Sequence, residues 1–110
     1  MAADILASLF GTMGFVLRGE RMTTEERIAA EYDRLKALSI AKNQAYGDSA
    51  VNPVRIFSKV DPIEGLKVRL DDKLARIQRG DVDAFGENPY DDIVGYCVLI
   101  LVVLGMKEGQ

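Results

Sequence analysis

The stretch Glu87-Asn88-Pro89-Tyr90-Asp91-Asp92-Ile93-Val94-Gly95-Tyr96-Cys97-Val98-Leu99-Ile100-Leu101-Val102-Val103-Leu104-Gly105-Met106 sets an acidic opening directly against an uncharged apolar run. Asn88 reads as a helix N-cap, Pro89 as the first helical residue and Asp91 as an acid three residues after the cap. The apolar part, residues 93–106, is shorter than the about 20 residues that a bilayer requires, so no membrane partner is expected. It is apolar on every face, which predicts a central helix surrounded by protein, in a bundle or at an oligomer interface. Carboxylates at the mouth of such a helix point to a site. The cap accounts for Asp91. Glu87 and Asp92 lie outside that account, although the helix dipole favours acids there. At about 100° per residue, Asp92 and Tyr96 share one stripe.

With 110 residues the chain has room for one domain with a modest core, and oligomerisation is an expected way to bury more apolar surface. Its 14 basic and 17 acidic residues leave a formal charge of −3. No basic cluster is strong enough to follow a phosphate backbone, so polymeric nucleic acid is not an expected partner. The single cysteine, Cys97, rules out an intrachain disulfide or a cysteine zinc site and reads as a small hydrophobe. A lone thiol fits a reducing compartment, so a cytoplasmic location is expected. The absence of histidine excludes catalytic triads, imidazole acid–base chemistry and histidine-ligated zinc. Any metal is then a hard, oxygen-liganded ion, Mg²⁺ or Mn²⁺.

Upstream, residues 2–17 carry Ile5, Leu6, Leu9, Phe10 and Met13 at helical spacing, weakened by Gly11 and Gly14. Asp4 stands where a secretory signal would be basic, so a targeting peptide is not expected. Arg18-Gly19-Glu20-Arg21 reads as a break between an N-terminal arm, 1–21, and a domain, 22–110. Met22 is a candidate second start, and a 22–110 chain should fold and assemble like the longer one. Thr23 and Glu26 form a capping-box pattern for a helix expected to run to about Tyr46 and stop at Gly47. Its core face holds Ile28, Tyr32, Leu35, Leu38 and Tyr46, and Glu31 and Lys42 fall on the same face. Those charges are either stripe-edge residues that snorkel to water or parts of a site.

The loop 47–61 carries Asp48, Ser49, Asn52 and Pro53, and its apolar Val54, Ile56 and Phe57 are expected to pack onto the bundle. A loop this long in a small domain is more often functional than decorative. Asp61-Pro62-Ile63-Glu64 then supplies a cap, a proline and a capping-box acid for a helix ending at Gly80. Its core face is Ile63, Leu66, Leu70, Leu74 and Ile77. Glu64, Lys67 and Asp71 flank one side, and Arg69, Lys73 and Arg76 the other. With no strand signal and no internal repeat, the expected fold is all-α, a small helical bundle with three principal helices plus an N-terminal helical arm.

Glu31, Asp71-Asp72 and Glu87 with Asp91-Asp92 are acids that facing helices could gather. Mg²⁺ takes one or two carboxylates, keeps several waters and accepts substrate phosphate oxygens. Such acids could cradle a nucleotide polyphosphate, with Lys42, Arg69, Lys73 and Arg76 on its phosphates. A metal-bound water could then attack phosphorus. The structural alternative makes these acids helix caps and solvated faces. Lys42-Asn43-Gln44-Ala45-Tyr46-Gly47-Asp48 is sharper, because a lysine, two amides and an aromatic ring cluster where the loop begins. A ring can stack on a base and an amide can read its edge. Taken singly, Gly47 as a C-cap and Tyr46 as a core residue are equally good readings.

The succession Lys42-x-x-x-Tyr46-Gly47-Asp48, Phe57-Ser58, Val68-Arg69-Leu70-Asp71-Asp72-Lys73-Leu74-x-Arg76-Ile77 and Glu87-Asn88-x-x-Asp91-Asp92-Ile93-x-Gly95-Tyr96 resembles the phage and bacterial family called nucleotide modification associated domain 1. It is similar in turn to the all-α nucleoside triphosphate pyrophosphohydrolases, the MazG and dimeric dUTPase class. The resemblance covers roughly residues 42–104. It implies a helical homo-oligomer of phage-like origin, placed in the host cytoplasm, that uses Mg²⁺ to cleave nucleoside triphosphates to monophosphate and pyrophosphate. On that likeness Asp72, Glu87, Asp91 and Asp92 are the metal-bearing acids, with Asp72 and Asp92 as the catalytic pair. Lys73 and Arg76 meet phosphates, Lys42 and Tyr46 line a base or sugar pocket, and Glu31, Asp48, Arg69 and Tyr96 complete the substrate-binding set. The hydrolases usually carry paired Glu-x-x-Glu and Glu-x-x-Asp. Here Asp71-Asp72 lacks an acid three residues on, and Glu87 is followed by Asp91 four residues on. That departure keeps open a non-catalytic helical protein that binds or sequesters a nucleotide or a nucleotide-derived signal.

Overall fold

The computed structural model describes residues 21–80 and 86–109. Among them the chain forms three α-helices and no strand: α1 (Thr24–Ala45), α2 (Pro62–Gln78) and α3 (Pro89–Glu108). The fold is all-α, as the capping signals and helical periodicity predict. The amphipathic segment 2–17 lies outside the described residues. The chain divides into two compact units, Met1–Ile40 and Ala41–Gln110, with the division inside α1.

α1 starts where its capping box dictates. The Thr23 amide donates to Glu26 Oε1 at 2.9 Å and the Glu26 amide donates to Thr23 Oγ1 at 3.0 Å, so two orphan donors of the first turn are satisfied reciprocally. No α1 side chain is buried; Leu35 and Leu38 are half-buried, while Ile28, Tyr32 and, just past the helix, Tyr46 are exposed. The expected core face is therefore not a sealed one. Charge interrupts it: Glu31 pairs with Arg34 on the helix's own surface at 2.7 Å. The helix ends at Ala45, and Gly47 and Asp48 then take left-handed backbone angles of +62° and +67°. For Asp48 that conformation is supported by its carboxylate, which accepts from Asn43 Nδ2 at 3.1 Å and from Asn52 Nδ2 at 2.6 Å.

The apolar loop residues do not pack down. Val54, Ile56 and Phe57 are exposed, Phe57 by 97 %. Arg55, at φ +65°, donates its guanidinium to the carbonyls of Lys59 and Val60, and Lys59 Nζ donates back to the Arg55 carbonyl at 3.1 Å. The segment closes on itself and projects its apolar tip outward.

Asp61 caps α2 by accepting from the Ile63 amide at 2.9 Å, with Pro62 in the first turn. Glu64 does not complete a capping box; it pairs with Lys67 at 3.2 Å. The helix closes at Arg79, and Gly80 follows at φ +77°, the left-handed stop that glycine adopts without a Cβ penalty. Along the expected core face Leu66 is fully buried, Ile63, Leu70 and Ile77 are half-buried, and Leu74 is exposed. α2 packs against α3.

α3 is capped by Asn88, whose Oδ1 accepts from the amides of Tyr90 at 2.8 Å and Asp91 at 3.4 Å. It is not surrounded by protein in the single chain. The side chains Asp92, Tyr96, Leu99 and Val103, spaced four, three and four residues apart, are buried or half-buried. Val94, Cys97, Val98, Leu101, Val102, Leu104 and Met106 on the remaining surface are exposed. With only α2 packed extensively against it, one stripe is covered and the others are left bare. Including its polar ends, the helix has 20 residues and meets the length and composition of a membrane-crossing helix, which the apolar run 93–106 alone does not.

Candidate functional site

Asp92 is the buried charged residue among the described residues. It sits in the first turn of α3, facing α2 and the last turn of α1, and its side chain is 8 % exposed. Oδ1 accepts from Lys42 Nζ at 3.0 Å and Oδ2 pairs with Lys73 Nζ at 3.1 Å. Lys73, only 15 % exposed, also reaches Glu87 Oε1 at 3.4 Å, and Arg76 Nη1 meets that same oxygen at 3.4 Å. Lys73 and Arg76 are three residues apart on α2 and so stand one above the other on the face turned to the head of α3. All five residues lie within the unit Ala41–Gln110.

A carboxylate taken out of water is costly unless it is paired and hydrogen-bonded. Burial alone pushes the Asp92 carboxyl up, but the hydrogen bonds and charges of Lys42 and Lys73 outweigh it and hold the group below its usual range. Lys42 is raised, first by its hydrogen bond to Asp92. Burial pulls Lys73 down, and the Asp92 hydrogen bond with the charges of Asp92 and Glu87 reverses that, leaving it raised. Tyr96, one turn along from Asp92, also acts on both lysines electrostatically. Among the described residues, Lys42, Lys73 and Arg76 thus meet the carboxylates of Asp92 and Glu87 in one ion-paired cluster.

The remaining expected site residues are placed as follows. Asp91 is half-buried in the first turn of α3, and Arg69 and Asp72 are exposed on α2 outside the ion-paired cluster. Glu31 is committed to Arg34. Asp48 is committed to Asn43 and Asn52, so its role in the structure is to shape the loop that follows α1. Asn52, which the motif reading passed over, is the partner that closes this turn. Tyr46 is exposed just beyond α1, four residues after Lys42.

Among the described residues no three acids gather into a group that could hold a metal ion. Both Asp92 oxygens face ammonium groups, and the Glu87 oxygen faces an ammonium and a guanidinium. As a donor set this is suited to anions, since every polar hydrogen in it belongs to a cation. Of the expected acids, Glu87 and Asp92 join the expected phosphate contacts Lys73 and Arg76 in one cluster, and Lys42 joins it through a pair fifty residues apart in sequence, whereas Asp72 and Arg69 do not. Comparison with protein-family models, with curated proteins and with solved structures gives no match.

Proposed function

We propose that this protein binds a nucleotide through its phosphates, with Lys42, Lys73 and Arg76 as the phosphate-holding cations. The observation that carries the reading is the convergence of these three side chains, from α1 and α2, on the head of α3. Arginine offers a planar fork to phosphate oxygens, and lysine a mobile point charge. Tyr46, exposed near Lys42 in sequence, supplies a ring for stacking on a base. The cytoplasmic nucleotide pool is the setting that this reading calls for.

Mg²⁺-dependent pyrophosphohydrolysis is the second reading, favoured by Asp91 and Asp92 in the first turn of α3 opposite a helix that carries Asp71 and Asp72. In it, Mg²⁺ or Mn²⁺ arrives with the polyphosphate, held by phosphate oxygens, waters and one or two of these carboxylates. The test is titration calorimetry with ribo- and deoxyribonucleoside mono-, di- and triphosphates, with Mg²⁺ and again with a chelator, alongside an assay for released pyrophosphate. Binding that survives chelation and returns the nucleotide intact is the expected result. Pyrophosphate release that requires the metal would instead support the hydrolase. Silence across the panel in both assays would remove the nucleotide reading altogether.

A further inference from the structure

Among the described residues, Asp92 and Glu87 bring carboxylates into the cationic cluster, and they are held very differently. Asp92 is buried, uses both oxygens and lies at 3.0 and 3.1 Å from its lysines. Glu87 is 54 % exposed and uses one oxygen, Oε1, which stands 3.4 Å from both Lys73 and Arg76. Lys73 and Arg76 are themselves largely buried, at 15 % and 13 % exposure, and the half-exposed Glu87 carboxylate meets the charged ends of both. Resting on the nucleotide-binding reading, we propose that Glu87 is a resident competitor, a carboxylate oxygen standing where a phosphate oxygen of the ligand binds and displaced outward when that ligand enters.

The physical basis is the difference between the two pairs. A pair at 3.4 Å whose carboxylate is half in water gains little, because water screens it and a long side chain must be held in place. A phosphate group brings more charge and several acceptor oxygens to the same two donors. Glu87 therefore sets a threshold: a polyphosphate displaces it, whereas an anion with one weak charge does not. Asp92 stays, since its departure would leave Lys73 buried without its closest counter-ion. Glu87 also lies next to the cap residue Asn88, whose hydrogen bonds to Tyr90 and Asp91 fix the backbone. Only the side chain needs to move.

The role has an experimental sign opposite to that of a ligand-binding acid. Glu87→Gln removes a negative charge from beside Lys73 and Arg76, so affinity should rise. The probe is inorganic tripolyphosphate, titrated calorimetrically into the full chain and into Glu87→Gln, Glu87→Ala and Arg76→Gln, with and without Mg²⁺. The expected result is binding about two- to five-fold tighter for both Glu87 variants at low salt, the scale of one exposed ion pair. Arg76→Gln should bind more weakly. Equal or weaker binding by both Glu87 variants, with the wild type binding, overturns the competitor role, and a loss seen only with Mg²⁺ makes Glu87 a metal ligand instead. If the wild type and all variants fail to bind, the nucleotide reading falls and the competitor role with it. Two Glu87 replacements are used so that a folding defect in one, checked by helical circular dichroism, leaves the other to decide.

Discussion

Asp92 Oδ2 and Lys73 Nζ stand 3.1 Å apart across the contact between α3 and α2, both largely buried, while the other Asp92 oxygen is taken by Lys42 at the end of α1. One carboxylate thus ties three helices at a point where apolar packing is thin, since Leu66, Pro89 and Val103 are the buried apolar side chains among the described residues.

Breaking this triad from its two ends should have unequal costs. Asp92→Asn leaves Lys73 buried without its closest partner and is expected to destabilise by about 2 to 4 kcal/mol. Lys42→Met should cost about 1 kcal/mol or less, because Lys42 is half in water and its pair is screened. Equilibrium urea unfolding at neutral pH measures both. A Lys42→Met loss as large as that of Asp92→Asn would show that the Lys42 arm is not screened.

The same triad predicts a plateau in stability against pH. The Asp92 carboxyl is held below its ordinary value of about 3.9, so its contribution is complete above that value and is lost as pH falls through the depressed folded value. Lys42 and Lys73 are raised above about 10.4, so their contribution is complete below that value and is lost as pH rises through their folded values. Unfolding measured from acid to alkali should show both limbs, and Asp92→Asn should flatten them. A variant profile with unchanged limbs would assign the dependence to other groups.

Much of this architecture could be read from the chain before any coordinates. Thr23 with Glu26, Asp61 with Pro62, and Asn88 with Pro89 are local signals, and each cap forms at the residue that they mark. What the pattern could not supply was pairing at a distance. Lys42 and Asp92 each stand out in the sequence as site candidates, but their bond depends on how α1 ends and on how α2 and α3 pack. Burial failed for a related reason. Periodicity reports which residues are apolar, not whether a second element covers them, so the outer side of α3 and the tip at Ile56 and Phe57 read as core although they are bare.

The α3 cap offers a test of local stabilisation at the edge of the site. Asn88→Ala removes the oxygen that accepts from two first-turn amides and should cost about 1 kcal/mol. Asn88→Asp, which keeps an acceptor, should restore the stability. If it does not, the backbone of this turn is held by something other than the cap.

The bare side of α3 leads to the last prediction. Val94, Val98, Leu101 and Gly105 recur at intervals of four, three and four residues, the spacing of a seam between two helices, and Val102, Cys97 and Leu104 widen it. A helix of 20 residues is about 30 Å long, so the uncharged strip exceeds the scattered apolar exposure that a monomer normally shows. A unit with so small a core has reason to bury it against a second copy of itself. Sedimentation velocity at micromolar concentration should give a species heavier than the 12.1 kDa protomer. Leu101→Lys should convert that species to monomer while leaving its helix content intact, because a fully solvated lysine at that position would cost within about 0.5 kcal/mol in the isolated chain. Cys97, on the same strip, should react more slowly with a thiol reagent in the wild type than in Leu101→Lys. A monomeric wild type that floats with lipid vesicles would assign the strip to a membrane surface instead, and a monomeric wild type that does not float would leave self-association without support.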